Sequence, residues 1–252
     1  QSAAEAARPY SQRMDAVMAN IANAVGDSAG APKLLAGNGS DKKHLLIVCT
    51  AERGLCGGFN SSTARLARDR ARELIASGQD VQILTVGKKG ADVLKMEFAD
   101  IMMKTVDLRD VKYVGYENAA DIAKTVLDMF ADDQFDVATL FYSEFQSVIS
   151  QVPTAQQIIP PEIPAVDEDA QSAGTIYDHE PDETKFLDDL LPRNVSVPLF
   201  LALLENSASA QGACMSAMDN ATRNSREMID KLKLNVHPTR PAKITHPHTG
   251  LN

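Results

Sequence analysis

Two apolar stripes, one at each end of the chain, most constrain what this sequence can fold into. Ala3, Ala7, Tyr10, Met14, Val17, Ile21 and Ala24 alternate four-residue and three-residue steps inside an Ala-rich stretch with no glycine before Gly26. That spacing is the narrow seam of one helix packed on another. Pro9 lies within the stretch and should bend it. The second stripe, Leu204, Ala208, Gln211, Met215, Met218, Thr222, Ser225, Ile229 and Leu232, repeats the spacing along a helix expected over residues 196–236. Ser196 reads as its N-cap, Pro198 suits its first turn and Gly212 is a mild break. Such a helix is roughly 60 Å long, whereas a compact body built from the remaining residues spans roughly 40 Å. The helix should therefore protrude. Each stripe needs cover from water, and the two can cover each other as an antiparallel coiled coil of residues 1–25 and 196–236. The alternative is that both helices lie flat against whatever folds between them. Gln211, Thr222 and Ser225 make the second seam partly polar, which suits a rod enclosed by partners better than one free in water.

The section between the stripes, residues 40–191, alternates strands and helices. Leu45–Thr50, Val81–Val86, Ile101–Val106 and Asp136–Tyr142 read as strands, and Ser62–Ser77, Lys88–Lys95 and Glu117–Ala131 as helices. That order predicts a mainly parallel, Rossmann-like α/β domain. Ser147–Ile159 reads as a further strand, antiparallel at the edge. Residues 26–39 read as a loop, 160–174 as a solvated acidic loop, and 237–252 as an atypical Pro/His-rich tail. The predicted fold class is therefore α/β, a long antiparallel coiled coil attached to a Rossmann-like domain.

Charge narrows the function. The 252-residue chain carries a net charge of −9, but ten of its 34 acids and only one of its 25 bases, Lys185, lie between Glu162 and Leu190. The rest is balanced, which excludes a basic nucleic-acid binder. The longest apolar runs, such as Leu45–Cys49, fall far short of a membrane span. Three cysteines (Cys49, Cys56, Cys214) without CxxC spacing indicate neither a disulfide framework nor a zinc ribbon, and point to a reducing compartment. The chain opens on Gln1 in the middle of a helical pattern and reads as cut at that end.

No motif assembles a catalytic set. Glu52–Asn60 follows a strand and precedes a helix, so its glycines could cradle a phosphate. It matches neither phosphate-binding glycine fingerprint. The structural reading is that Gly54, Gly57 and Gly58 allow a tight turn close to another backbone. Cys56 has no His nearby to activate it. Lys88 and Lys89 read as a solvated turn, and His237, His246 and His248 as part of a disordered tail. No cofactor and no metal ligand set is expected.

Three stretches nevertheless point to a family. Glu52–Asn60 (ERGLCGGFN), Tyr142–Pro160 (YSEFQSVISQVPTAQQIIP) and Met215–Leu232 (MSAMDNATRNSREMIDKL) resemble, in order, signature stretches of the gamma subunit of F-type ATP synthase. The resemblance runs to about residue 236, and the GGFN form is bacterial-like more than mitochondrial. It implies a non-catalytic central shaft that couples proton-driven rotation of the c-ring to conformational cycling of the beta subunits. The partners implied are alpha, beta, epsilon, delta and the c-ring, with one copy of this chain per complex. It also implies a peripheral position on the cytoplasmic face of the bacterial inner membrane, held there only through the Fo sector, the alternative being the matrix side of the mitochondrial inner membrane. By the same resemblance Asn220, Arg223 and Asn224 are candidates for contact with the alpha/beta hexamer, weighed against intrahelical pairing of Asp219 with Arg223. Tyr177, Asp178, His179, Glu180 and Asp182 fall in the stretch that faces epsilon and the c-ring, where the acids can help docking. Two departures stand out. The family's first helix begins well before Gln1, and Pro238, Pro241 and Pro247 oppose the helix that family members continue beyond Val236.

Overall fold

A computed structural model describes residues 2–25, 32–161 and 183–244. The elements are α1 (Ser2–Val25), α2 (Lys33–Ala36), β1 (Lys43–Cys49), α3 (Phe59–Ala76), β2 (Asp80–Val86), α4 (Lys88–Phe98), α5 (Tyr116–Ala131), β3 (Val137–Ser147), β4 (Ser150–Ile159) and α6 (Glu183–Ile244). The sheet runs in the order β2-β1-β3-β4. β1 pairs in parallel with β2 and with β3, while β4 returns antiparallel to β3 at the edge.

Strand periodicity divides the core into two layers. Along β1, Leu45, Ile47 and Cys49 join one cluster with α5 and α6, while Leu46 and Val48 join a second with α3 and α4. Successive side chains of a strand point to opposite faces, so a central strand covered on both sides reads as an unbroken apolar run. On the second face α3 offers Ala64, Ala67, Ala71 and Leu74. Asp136, just before β3, fastens the connection from α2 to β1. It accepts from Asn38 Nδ2 (2.5 Å), Ser40 Oγ (2.8 Å) and the backbone N–H groups of Lys42 and Lys43 (both 3.0 Å). Burial pushes this carboxyl's pKa up, but the four bonds outweigh it and hold it down at about 2.

Several expectations need correction. Ile101–Val106 is no continuous strand: it runs beside β2 but forms only isolated bridges with it, at Ile83/Met102 and Val86/Val106. Between those bridges the second segment advances one residue more than β2, and an extra residue interrupts a ladder. Ser196 is not an N-cap. The helix starts at Glu183, and Ser196 Oγ donates within it to Pro192 O (3.1 Å) and Arg193 O (3.2 Å). The helix passes Pro192 and Pro198 because Leu191, Val195, Val197 and Leu199 are buried around them. Their burial, about 1.5–3 kcal/mol per large side chain, outweighs the lost backbone bonds. At its far end α6 also runs through Pro238 and Pro241 to Ile244, where a loop-like tail was expected. Two missing N–H donors leave the remaining ladder in place.

The two terminal helices do pack antiparallel. Arg8 of α1 meets Glu205 of α6, and further along α1 Met14 and Met18 meet Leu191 and Val197. The seam differs in register from the predicted one. Among the α1 residues whose side chains are described, Ala4, Ser11, Met14 and Met18 are buried, and Tyr10 is exposed. Apolar periodicity missed this because Arg8, a charged residue, occupies the inner face by pairing with Glu205.

Candidate functional site

Helix α6 changes environment along its length. From Asn194 to Ser209 it is enclosed by α1, α5 and β3, with Val195, Leu199, Ala202 and Leu203 in the main core. From Met218 to Leu234 every residue is exposed. The transition is built from three pieces. Gly212 lies against the β3–β4 hairpin, where a Cβ would come within 3.2 Å of Phe145 Cε2 and 3.3 Å of Val148 Cα. Only hydrogen fits without moving the hairpin, so the glycine marks a close approach and not a break. Ser209 Oγ donates to Ser143 O (3.0 Å) and Ser216 Oγ to Val148 O (3.3 Å). On the other flank Cys56 and Phe59 pack on Ala213.

The glycine-rich turn is thus a bracket for α6. Asn60 organises it: its Oδ1 accepts from Ala51 N (2.8 Å), and its Nδ2 donates to Arg53 O (3.2 Å) and lies 3.0 Å from Cys56 Sγ. Glu52 accepts from Lys88 N (3.1 Å) and Leu108 N (2.8 Å), which fills the start of α4 with a carboxylate of the protein itself. Gly57 has φ +57 and needs its lack of a Cβ for that conformation. Gly54 and Gly58 do not approach a neighbouring backbone; their nearest neighbours are the side chains of Lys89 and Ser61, each at 3.9 Å. The close-approach reading of this turn is therefore corrected to a left-handed turn, with Leu55 (φ +64) and Gly57 both at positive φ. Burial pushes the Cys56 thiol pKa up, which keeps it protonated. Asn60 and Glu52 were in view as part of the motif, but their roles were not. A side-chain amide nine residues from the N–H it caps leaves no periodic signal.

A second constellation was missed altogether. Glu205, an acidic residue, is only 1% exposed. Arg8 approaches it as a fork, with Nε 2.6 Å from Oε1 and Nη2 3.0 Å from Oε2. Arg8 Nη2 also donates to Phe145 O (2.6 Å), and Phe145 N donates to Glu205 Oε2 (2.8 Å). This hydrogen bonding to Glu205 raises the already high pKa of Arg8. Three elements, α1, α6 and β3, are joined at the backbone of one residue, Phe145.

The predicted contact residues on α6, Asn220, Arg223 and Asn224, are all exposed. Arg223 Nη2 pairs with Asp219 Oδ2 (3.2 Å) and Asn220 Oδ1 (2.8 Å) along the helix, so the intrahelical arrangement forms. An exposed pair of this kind holds a side chain by no more than about 0.5 kcal/mol. Tyr177, Asp178, His179, Glu180 and Asp182 lie outside the described residues, as does the acidic stretch after Pro161. Among the described residues, no group of three or more His, Cys, Asp and Glu could hold a metal ion, and no helix is long and apolar enough to cross a membrane.

A glycine bracket, a domain with both terminal helices laced to it, and a helix left bare beyond it agree with the family that the three stretches suggested. The ATP synthase family model matches residues 1–247. The ATP synthase gamma chain of Rhizobium etli is 62% identical over 246 residues, covering 97% of this chain and 84% of that one. The chain belongs to the ATP synthase gamma-chain family. A more distant family member, the gamma chain of a Jannaschia species, is 55% identical over 248 residues, with the same shares covered. Among solved structures, a chain of the Tetrahymena thermophila mitochondrial ATP synthase central stalk and c-ring superposes with a TM-score of 0.58 at 25% identity, over 87% of this chain and 99% of that one. The rotor of the Euglena gracilis mitochondrial enzyme shares the fold, with a TM-score of 0.58 at 18% identity over 97% of each chain. The fold of this gamma-family chain is that of a central stalk, and its bacterial relatives place it in a membrane-associated complex.

Proposed function

We propose that this chain is the central rotary shaft of an F1Fo ATP synthase. It couples rotation of a proton-driven c-ring to the conformational cycle of the catalytic beta subunits and has no active site of its own. The observation that carries this reading is the bare stretch Met218–Leu234, an exposed helix continuous with one clamped inside the α/β domain. A helix rooted in this way can turn as one piece with its domain. Inside an alpha/beta hexamer, its orientation supplies the differential contacts that favour one beta conformation over another. Asn220, Arg223 and Asn224 are the side chains we assign to the hexamer contact. Tyr177, Asp178, His179, Glu180 and Asp182 are those we assign to epsilon and the c-ring, at the cytoplasmic face of the bacterial inner membrane.

The balanced charge outside residues 162–190 supports the reading, since strong fixed charge on a shaft would hold it at particular angles. The test is assembly. Co-expressed with alpha, beta, epsilon and the c-ring, the chain should co-purify with both large subunits and restore ATP synthesis in proton-tight vesicles. Isolated, it should bind no ATP by calorimetry. Failure to recover alpha or beta, or stoichiometric ATP binding by the lone chain, would sink the proposal.

A further inference from the structure

The sheet has an overhang. β1 ends at Cys49, and its last residue paired with β3 is Val48, opposite Phe141. β3 continues to Ser147, so on the side that β1 occupied its last residues have no strand beside them among the described residues. Ser143 and Phe145, two apart, turn their backbone groups to that same side. A buried, unpaired peptide group is costly, and here side chains of the terminal helices take the place of the absent strand. Ser209 Oγ bonds Ser143 O, Glu205 accepts from Phe145 N, and Arg8 donates to Phe145 O.

The helix also meets the sheet through apolar side chains, Val195, Leu199, Ala202 and Leu203. Apolar burial holds surfaces together but has no direction, and it resists sliding or twisting weakly. Forked Arg–carboxylate bonds are short, strong and fixed in angle. The Arg8–Glu205–Phe145 junction joins both helices and the sheet at one residue, and it sits where α6 is about to leave the domain.

Resting on the shaft reading above, we infer that the Arg8–Glu205–Phe145 cross-tie is the joint that carries torque between the α/β domain and the two-helix shaft, with Arg8 and Glu205 as its positioning residues. The whole ATP synthase complex provides the test. A bead is fixed to α5 through Lys124→Cys, the hexamer is locked with a non-hydrolysable ATP analogue, and torsional stiffness is read from angular fluctuations. Glu205→Gln should soften the rotor by about twofold or more, because it removes the negative charge and turns one of the two accepting oxygens into a donor, which breaks the fork. Leu74→Ala, which removes a buried side chain of the far core layer, should lower the melting temperature without changing stiffness. Unchanged stiffness in Glu205→Gln overturns the inference, as does equal softening in Leu74→Ala. If Glu205→Gln does not assemble, Arg8→Lys decides, since it keeps the cation and loses the fork: softening supports the joint and wild-type stiffness overturns it. A wild-type chain that neither assembles nor rotates refutes the shaft reading itself, a result distinct from a rotor that turns with full stiffness after the cross-tie is broken.

Discussion

Asn194–Ser209 and Met218–Leu234 are two parts of one helix, and the same four–three spacing runs through both. The first is enclosed on several sides and mixes large apolar residues with buried Glu205, Asn206 and Ser209. The second exposes everything, including Met228, Ile229, Leu232 and Leu234. Periodicity therefore says that a helix has faces, but not which of them the fold covers. In the enclosed half what matters is the pairing of polar groups; in the bare half it is the apolar stripe left open for partners.

The contrast can be attacked by mutation. Glu205→Ala should cost the isolated chain about 4 kcal/mol in urea unfolding, because it strands Arg8 and the Phe145 N–H. A loss under about 1 kcal/mol would mean that the cross-tie contributes little beyond packing. Leu199→Ala, at a fully buried position, should cost about 3 kcal/mol. Leu232→Ala, at a residue 57% exposed, should cost less than about 0.5 kcal/mol. Equal losses at these two leucines would erase the distinction between the halves.

Acid offers a milder separation. Asp136 has a folded-state pKa lowered from 3.8 to about 2, so its contribution is fully present above pH 3.8 and is lost as pH falls through about 2. The shift corresponds to about 2 kcal/mol. Asp136→Asn should remove that part of the acid dependence from the α/β domain. Far-ultraviolet and tyrosine signals followed from pH 5 to 2 would check it. The smallest effect is expected from Arg223→Ala: a loss below about 0.5 kcal/mol in the isolated chain, with a measurably slower association with the alpha/beta hexamer. Unaltered association would remove Arg223 from the contact surface.

Much of the architecture was legible in the residues. β1 and β2 announced themselves as short apolar runs, and β4 was expected as an antiparallel strand at the sheet edge. The antiparallel meeting of the chain ends followed from two stripes that needed cover. What escaped were features that apolar patterns do not encode. The register of α1 turns on Arg8, whose burial depends on a partner 197 residues away. The start of α6 was hidden by Pro192 and Pro198, tolerated only because the surrounding core compensates. Of the site, the exposed position of Arg223 was foreseeable from a helix longer than its domain. Asn60's role and the Glu205 junction were not, since both rest on side-chain hydrogen bonds that leave no trace in apolar periodicity.

The helix substituting for a strand beside Phe145 has a consequence for biosynthesis. The sheet's main core contains Val195, Leu199, Ala202 and Leu203, and its overhanging edge needs Glu205 and Ser209. A ribosome that has delivered every strand has still not delivered these residues. Until α6 emerges, the nascent sheet presents an uncovered apolar face and unpaired peptide groups, a state prone to aggregation. Folding of this domain is therefore completed from its C-terminal side, late in translation, and by the same helix whose far end is left for other subunits to enclose.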